Sequence, residues 1–140
     1  MAWSIDAREW NALGEIFDDP LVVDYVSVFG GQPQTLPGHE FAAYLGTVLD
    51  RFAGTQHLVT NHRAWATTAG ALCVSQVQAT HAGAGAAAGA RWTGSGSYRI
   101  ELRRTPEAWR IFHYIFTVSW AAGDRDLMRT ARRAPAPTIP

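Results

Sequence analysis

From Thr55 onward the apolar residues of this chain recur with a period of two, through four stretches at 55–66, 71–81, 91–104 and 109–120. That period puts alternate side chains on opposite faces of a strand. Turn-like breaks such as Ala69-Gly70 and Thr105-Pro106-Glu107 separate the stretches, so the second half of the chain predicts a strongly curved antiparallel meander. The first half has a different rhythm. Residues 6 to 18 place Trp10, Leu13 and Phe17 at helical spacing, with Asp6 near the start and Pro20 past the end, as a short amphipathic helix requires. The run 21–29 is rich in β-formers and closes on Gly30-Gly31, which predicts a strand and a turn. After Pro37, residues 39–51 and Phe52 bring Phe41, Tyr44, Leu45, Val48, Leu49 and Phe52 to one face of a second helix. Helices followed by a curved antiparallel sheet define an α+β class in which the N-terminal helices cover one face and the concavity becomes a cone-shaped pocket.

Length and composition bound the rest. The chain has 140 residues, 47% of them apolar and 11% aromatic, enough for one well-buried core and too few for two ordinary domains. A single domain is expected over residues 1–131, with the proline-bearing stretch 132–140 as a disordered tail. Residues 82–90 are only alanine and glycine, which predicts a loop between two strands. Its Gly83-Ala84-Gly85 is no dinucleotide fingerprint, because Arg91-Trp92-Thr93 resumes an extended pattern where that fingerprint needs a helix. Basic and acidic side chains number 12 each, for zero net charge. Nucleic acid is therefore not an expected partner. Every basic residue is an arginine, so no lysine can form a Schiff base. Cys73 has no cysteine to pair with and sits in the apolar run Leu72-Cys73-Val74, as a buried structural thiol would. The start Met1-Ala2-Trp3-Ser4-Ile5-Asp6 lacks the basic and apolar regions of a signal peptide, and no run approaches a membrane span. A cytoplasmic protein with no membrane association is expected.

Strand parity selects candidate pocket residues. The inner faces predicted by alternation are mostly apolar, and His57 and His81 are their strongly titratable groups. Asn61, Val77, Tyr98, Phe112, Tyr114 and Phe116 share those faces and are the expected substrate contacts. Arg99, Glu101 and Arg103 fall on the opposite parity and belong in water. His39 reads as surface, and His62 and His113 fall outward. His57 and His62 point to opposite faces of one strand, so they and Asp6 do not suit a zinc site, and no metal is expected.

Several short motifs then fall in a recognisable order: Asp6-Ala7-Arg8-Glu9-Trp10, Asp24-Tyr25, Thr55-Gln56-His57, His81 at a strand end, and Trp109 and Trp120 on the last strand. In type, order and spacing this set resembles the scytalone dehydratase-like group of the SnoaL-like and nuclear transport factor 2-like superfamily, over residues 5 to 125. The resemblance implies an α+β barrel and a catalytic set of Asp6, His57, His81 and Tyr25 acting without a cofactor. It also has departures. The dehydratase's tyrosine before its helix aspartate is Ile5 here, and its third-strand serine and asparagine align with Gly96 and Tyr98, which argues against scytalone as the substrate. The family's further helix before the aspartate is missing from this sequence, which predicts a pocket more open at one end or closed by a neighbouring subunit.

The chemistry is plausible on its own terms. A carboxylate that accepts a hydrogen bond from one ring nitrogen of a histidine fixes its tautomer and leaves the other nitrogen basic. Asp6 and His57 suit that dyad. Tyr25 suits polarisation of a substrate carbonyl, and a protonated His81 suits delivery of a proton to a departing hydroxyl, giving a bell-shaped pH profile. The leading expectation is a dehydratase acting on a cyclic hydroxylated ketone of polyketide or terpenoid type, with aromatic residues suggesting a flat or polycyclic ligand. A polyketide cyclase, an isomerase, an epoxide hydrolase and a non-catalytic binding or accessory subunit stay open. Structural roles compete too, since Asp6 suits a helix N-cap and Tyr25 a core aromatic. Outward Trp65, Val74, Ile111 and Ile115 predict an apolar patch and hence a homodimer or homotrimer.

Overall fold

A computed structural model describes residues 1–133. Four helices and two strands come first: α1 (Ala2–Asp6), α2 (Trp10–Ile16), β1 (Phe17–Asp24), α3 (Val26–Phe29), β2 (Gln34–Leu36) and α4 (Gly38–Leu49). Then follow β3 (Phe52–Thr67), β4 (Gly70–Gly83), β5 (Arg91–Arg104), β6 (Trp109–Gly123) and α5 (Arg125–Arg132). The α+β class and the meander are as the periodicity predicts. All four long strands pair antiparallel in sequence order, and β1 adds to the far side of β6 in parallel, giving the order β2-β1-β6-β5-β4-β3. The core lies between the inner face of this sheet and the helices. Leu13 and Leu21 are completely buried, and Phe41, Ala42, Val48 and Leu49 of α4 pack down onto the strands with them. Among the described residues no helix is long and apolar enough to cross a membrane.

The N-terminal half departs from its sequence pattern. The single helix expected over 6–18 is two helices, broken at Ala7–Glu9 where Arg8 takes φ 62°. Asp6 therefore ends α1 rather than capping a helix start. Phe17 already belongs to β1, and Pro20 lies in the irregular stretch between the Phe17 and Val22 pairings, where no ladder hydrogen bond is required of it. The strand expected over 21–29 stops at Asp24, whose Oδ1 accepts from Val26 N at 2.8 Å and turns the chain into α3. At the other end, α5 occupies residues that the sequence left without structure, and it includes Arg132 of the expected tail. Residues 134–140 of that tail lie outside the described residues. Most of the 82–90 loop is compact: β4 runs on to Gly83, and a single 3₁₀ turn covers Gly85–Ala87.

Bulges in the meander reassign several side chains. Between Thr60 and Arg63, Asn61 and His62 of β3 lie opposite a single residue of β4, and Asn61 takes φ 55°. Asn tolerates this left-handed conformation better than most residues. Between Ile111 and His113 of β6, Phe112 is the extra residue, so the parity reverses there. Ile111 consequently turns inward and is buried, which removes it from the expected outward patch; Trp65 remains exposed. Cys73 is half-buried rather than fully enclosed.

Close approach explains Gly38, the first residue of α4. A Cβ there would lie 2.4 Å from Phe17 Cβ and 2.7 Å from the Asp18 carbonyl oxygen, both parts of the β1 start. Gly38→Ala is expected to destabilise the fold by about 1–3 kcal/mol, the usual cost of overpacking. Gly54→Ala, whose new methyl would meet nothing within 4 Å, should change stability by no more than about 0.5 kcal/mol. Urea unfolding of both variants beside the wild type checks the contrast, and equal losses would remove the steric explanation.

Candidate functional site

The end of α1 lies against the start of β3, and one carboxylate joins them. Asp6 Oδ1 accepts from Thr55 Oγ1 at 2.8 Å and lies 2.8 Å from His57 Nδ1, while Oδ2 accepts from His57 backbone N at 2.7 Å. Burial raises the Asp6 carboxyl pKa, but the side-chain and backbone hydrogen bonds from His57 and the bond from Thr55 outweigh it and hold it below its usual value. Asp6 is thus ionised and can only accept, so Nδ1 of His57 must carry the proton. In the neutral imidazole this tautomer leaves Nε2 as the basic nitrogen. His57 is almost entirely enclosed, with 7% of its side chain exposed, and it lines the main cavity.

Arg8, which no spacing or parity argument singles out, supports this pair. Its Nη1 donates to Ile5 O at 2.9 Å and to Thr55 Oγ1 at 2.8 Å, its Nη2 donates to Leu49 O at 3.0 Å, and its Nε lies 3.4 Å from Asp50 Oδ1. The left-handed backbone at Arg8 lets the guanidinium reach back to the end of α4. Thr55 Oγ1 therefore accepts a hydrogen bond from Arg8 and donates one to Asp6, which fixes the carboxylate in one orientation.

The cavity beyond His57 measures about 100 Å³ and is mostly apolar. Tyr25, Tyr98, Tyr114 and Phe116 line it, as the parity and the resemblance predict, together with His81. The three phenols form one group: Tyr25 Oη donates to Tyr114 Oη at 3.3 Å, and the Tyr98 and Tyr114 rings lie 5.2 Å apart. Burial raises all three phenol pKa values, that of Tyr98 to about 12, so each remains a proton donor. Ile5, which stands where the dehydratase has a tyrosine, also lines the cavity, as do Tyr44, Trp92 and, from α5, Met128 and Arg132, which the site residues drawn from parity and from the resemblance do not include. Trp92 was within reach of parity, as the partner of His81 across β4 and β5. The α5 residues were not, because nothing in their spacing indicates where that helix folds back.

Three expected substrate contacts lie elsewhere. Asn61 is exposed on its bulge, where its side-chain amide donates to Gln76 Oε1. Phe112, displaced by the β6 bulge, lies under the Arg103 guanidinium, 4.9 Å from the ring centroid. Val77 is buried in the core but is not part of the cavity wall.

His81 departs from its expected ionisation. It lies 5.9 Å from His57 between Phe52 and Trp92, and its Nδ1 is buried with no hydrogen-bond partner among the described residues. Burial, then repulsion from His57, lowers its pKa to about 4. It is neutral near pH 7 and cannot be the protonated acid that sets an alkaline limb.

Residues 1–115 match the model of the SnoaL-like domain. A crystal structure of a Kribbella flavida protein is 28% identical, with a TM-score of 0.84 over 91% of this chain and 88% of that one. A Novosphingobium aromaticivorans protein provisionally named a scytalone dehydratase is 17% identical, with a TM-score of 0.71 over 89% and 80% of the two chains. The hexachlorocyclohexane dehydrochlorinase LinA-type3 of Novosphingobium barchaimii is 16% identical, with a TM-score of 0.70 over 89% and 82%. No curated protein matches the sequence.

The His81 shift carries a stability consequence. Its folded pKa lies below the unfolded value of 6.5, so the unfolded chain binds the extra proton first. The stabilisation is complete above pH 6.5 and is lost as pH falls toward 4. Over that window the loss is at most about 3 kcal/mol at 1.36 kcal/mol per pKa unit. Denaturant unfolding at pH 7 and pH 4.5 should show a smaller decline for His81→Phe than for the wild type. Parallel declines would show that His81 is not the group responsible.

Proposed function

The chain belongs to the SnoaL-like family, and on that premise we propose that it is a cofactor-independent lyase that eliminates water from a cyclic hydroxylated ketone. The observation that carries this is the Asp6–His57 pair, 2.8 Å apart, facing an apolar cavity bordered by three protonated phenols. A base fixed in one tautomer beside oxygen-binding donors in a dry pocket suits removal of a proton alpha to a carbonyl. In this reaction His57 Nε2 takes the α-proton, and the electron pair moves onto the carbonyl oxygen. The phenol of Tyr25, turning its O–H from the Tyr114 oxygen to the resulting oxyanion, stabilises it, with Tyr98 completing the wall. As the carbonyl re-forms, the bond to the β-hydroxyl breaks, and the leaving oxygen takes the proton back from the His57 imidazolium. The products are an enone and one water. Neutral His81, whose Nδ1 is otherwise unpartnered, hydrogen-bonds the leaving hydroxyl without delivering a charge.

The named neighbours support elimination as the reaction type, since a dehydratase and a dehydrochlorinase share the fold. A cyclic hydroxylated ketone of polyketide or terpenoid type is the proposed substrate.

A panel of cyclic β-hydroxyketones incubated with the protein and followed by mass spectrometry tests the proposal. A product lighter by one water is expected. Asp6→Asn and His57→Gln should each lower kcat by roughly 10²–10⁴-fold with KM little changed, because orientation of the imidazole matters most as charge develops. An unchanged mass with α-proton exchange would indicate isomerisation or ring closure instead. Wild-type rates in both variants would return these residues to structural roles. His81→Gln should leave the alkaline side of the pH-rate profile where it is in the wild type.

A further inference from the structure

The arginines of this chain are unevenly placed. Arg125, Arg129, Arg132 and Arg133 fall in α5 and the residue after it, and all four line a second, more open cavity of about 410 Å³ whose wall, among the described residues, contains no carboxylate. The other residues of that wall, Val28, Phe29, Trp92 and Met128, also line the chamber at His57, and so does Arg132. The two spaces therefore adjoin, with Arg132 at the junction.

Ordinary structural roles account for only part of this cluster. Arg129 Nη1 meets Asp126 Oδ1 at 2.9 Å, but both side chains are exposed and such a pair contributes little. Asp124 is occupied in capping α5, accepting from Asp126 N at 2.9 Å. Among the described residues Arg125, Arg132 and Arg133 have no carboxylate partner. Arg129 and Arg132 in the last turn complement the helix dipole, whereas Arg125 in the first turn opposes it. The pairs Arg125/Arg129 and Arg129/Arg133 are also like charges at i,i+4 spacing, which disfavours the helix. Meanwhile Leu127, Met128 and Ala131 bury the opposite face of α5 in the core, so the charged face is held beside the cavity. Arg132 is further fixed by lying over the Phe29 ring at 3.6 Å and by donating from Nε to Tyr44 Oη at 3.4 Å.

We propose that this arginine face binds an anionic group, a carboxylate or a phosphate monoester, on the molecule whose ring fills the adjoining chamber. The substrate would then be a hydroxylated cyclic ketone with an acidic substituent directed toward α5. That it is a substrate rests on the lyase proposal; that an anion binds does not. Guanidinium forks match carboxylate and phosphate oxygens two at a time, and an apolar floor beside them limits competition from water.

Calorimetric titration of the full chain with benzoate, phenyl phosphate and benzamide tests this. Benzoate or phenyl phosphate should bind roughly tenfold or more tightly than benzamide, as charge-assisted hydrogen bonds imply, and the tighter of the two anions identifies the group. The preference should weaken at high ionic strength and collapse in a combined Arg125→Gln, Arg129→Gln, Arg132→Gln variant. The single variant Arg125→Gln, whose side chain supports no core contact, should lose several-fold in anion affinity even if the triple variant does not fold. Asp6→Asn should lose turnover and keep the anion preference. If it kept turnover as well, the lyase proposal would fall and the anion site would stand. Equal binding of all three probes, no binding of either anion, or an unaltered preference in the arginine variants would overturn the inference.

Discussion

The carboxylate of Asp6 ties the N-terminus of this protein to its sheet. It lies at the end of a five-residue helix, with 25% of its side chain exposed, and accepts hydrogen bonds from the His57 backbone and the Thr55 hydroxyl while facing His57 Nδ1. A helix of this length has little stability of its own. Its position depends on these bonds, on buried Ile5 and on the Arg8 clasp to Leu49 and Thr55. The same bonds that anchor the chain also set the tautomer of His57, so the structural and chemical roles of Asp6 are inseparable. Removing the carboxylate would loosen α1 and free the imidazole together.

Bulges decide what faces the cavity. A regular strand alternates strictly, and a single extra residue reverses every side chain beyond it. β6 carries extra residues at Phe112 and Ser119; because of the first, Ile111 on one side and Tyr114 and Phe116 on the other are all buried. On β3 the bulge at Asn61 lies well beyond His57, so the alternation that places His57 is undisturbed.

Electrostatically, the interior and the mouth of the site are opposites. Inside, burial keeps three phenols and His81 neutral, and the ionised Asp6 is held by several donors. Outside, on α5 and the residue after it, four guanidinium groups share one wall. Whole-chain neutrality conceals this separation, because charges that cancel in the total need not be near one another.

Local pattern was enough for much of the protein. The period-two stretches specified the meander, the spacing of Phe41, Leu45, Val48 and Leu49 specified α4, and alternation on unbroken strands brought His57, His81, Tyr98, Tyr114 and Phe116 to one interior. These features repeat over neighbouring residues and need no distant partner to be read. Where the backbone leaves its regular period, the pattern misled: the left-handed turn at Arg8 split a helix, and the bulges misplaced Asn61, Phe112 and Ile111. What only the tertiary structure decided was the partnership of distant residues. Arg8 behind Thr55, the depth that keeps His81 uncharged, the size of the cavity and the arginine face of α5 at its mouth all depend on chain segments tens of residues apart packing together. Burial and proximity set those properties, and neither is encoded in the spacing of any one segment.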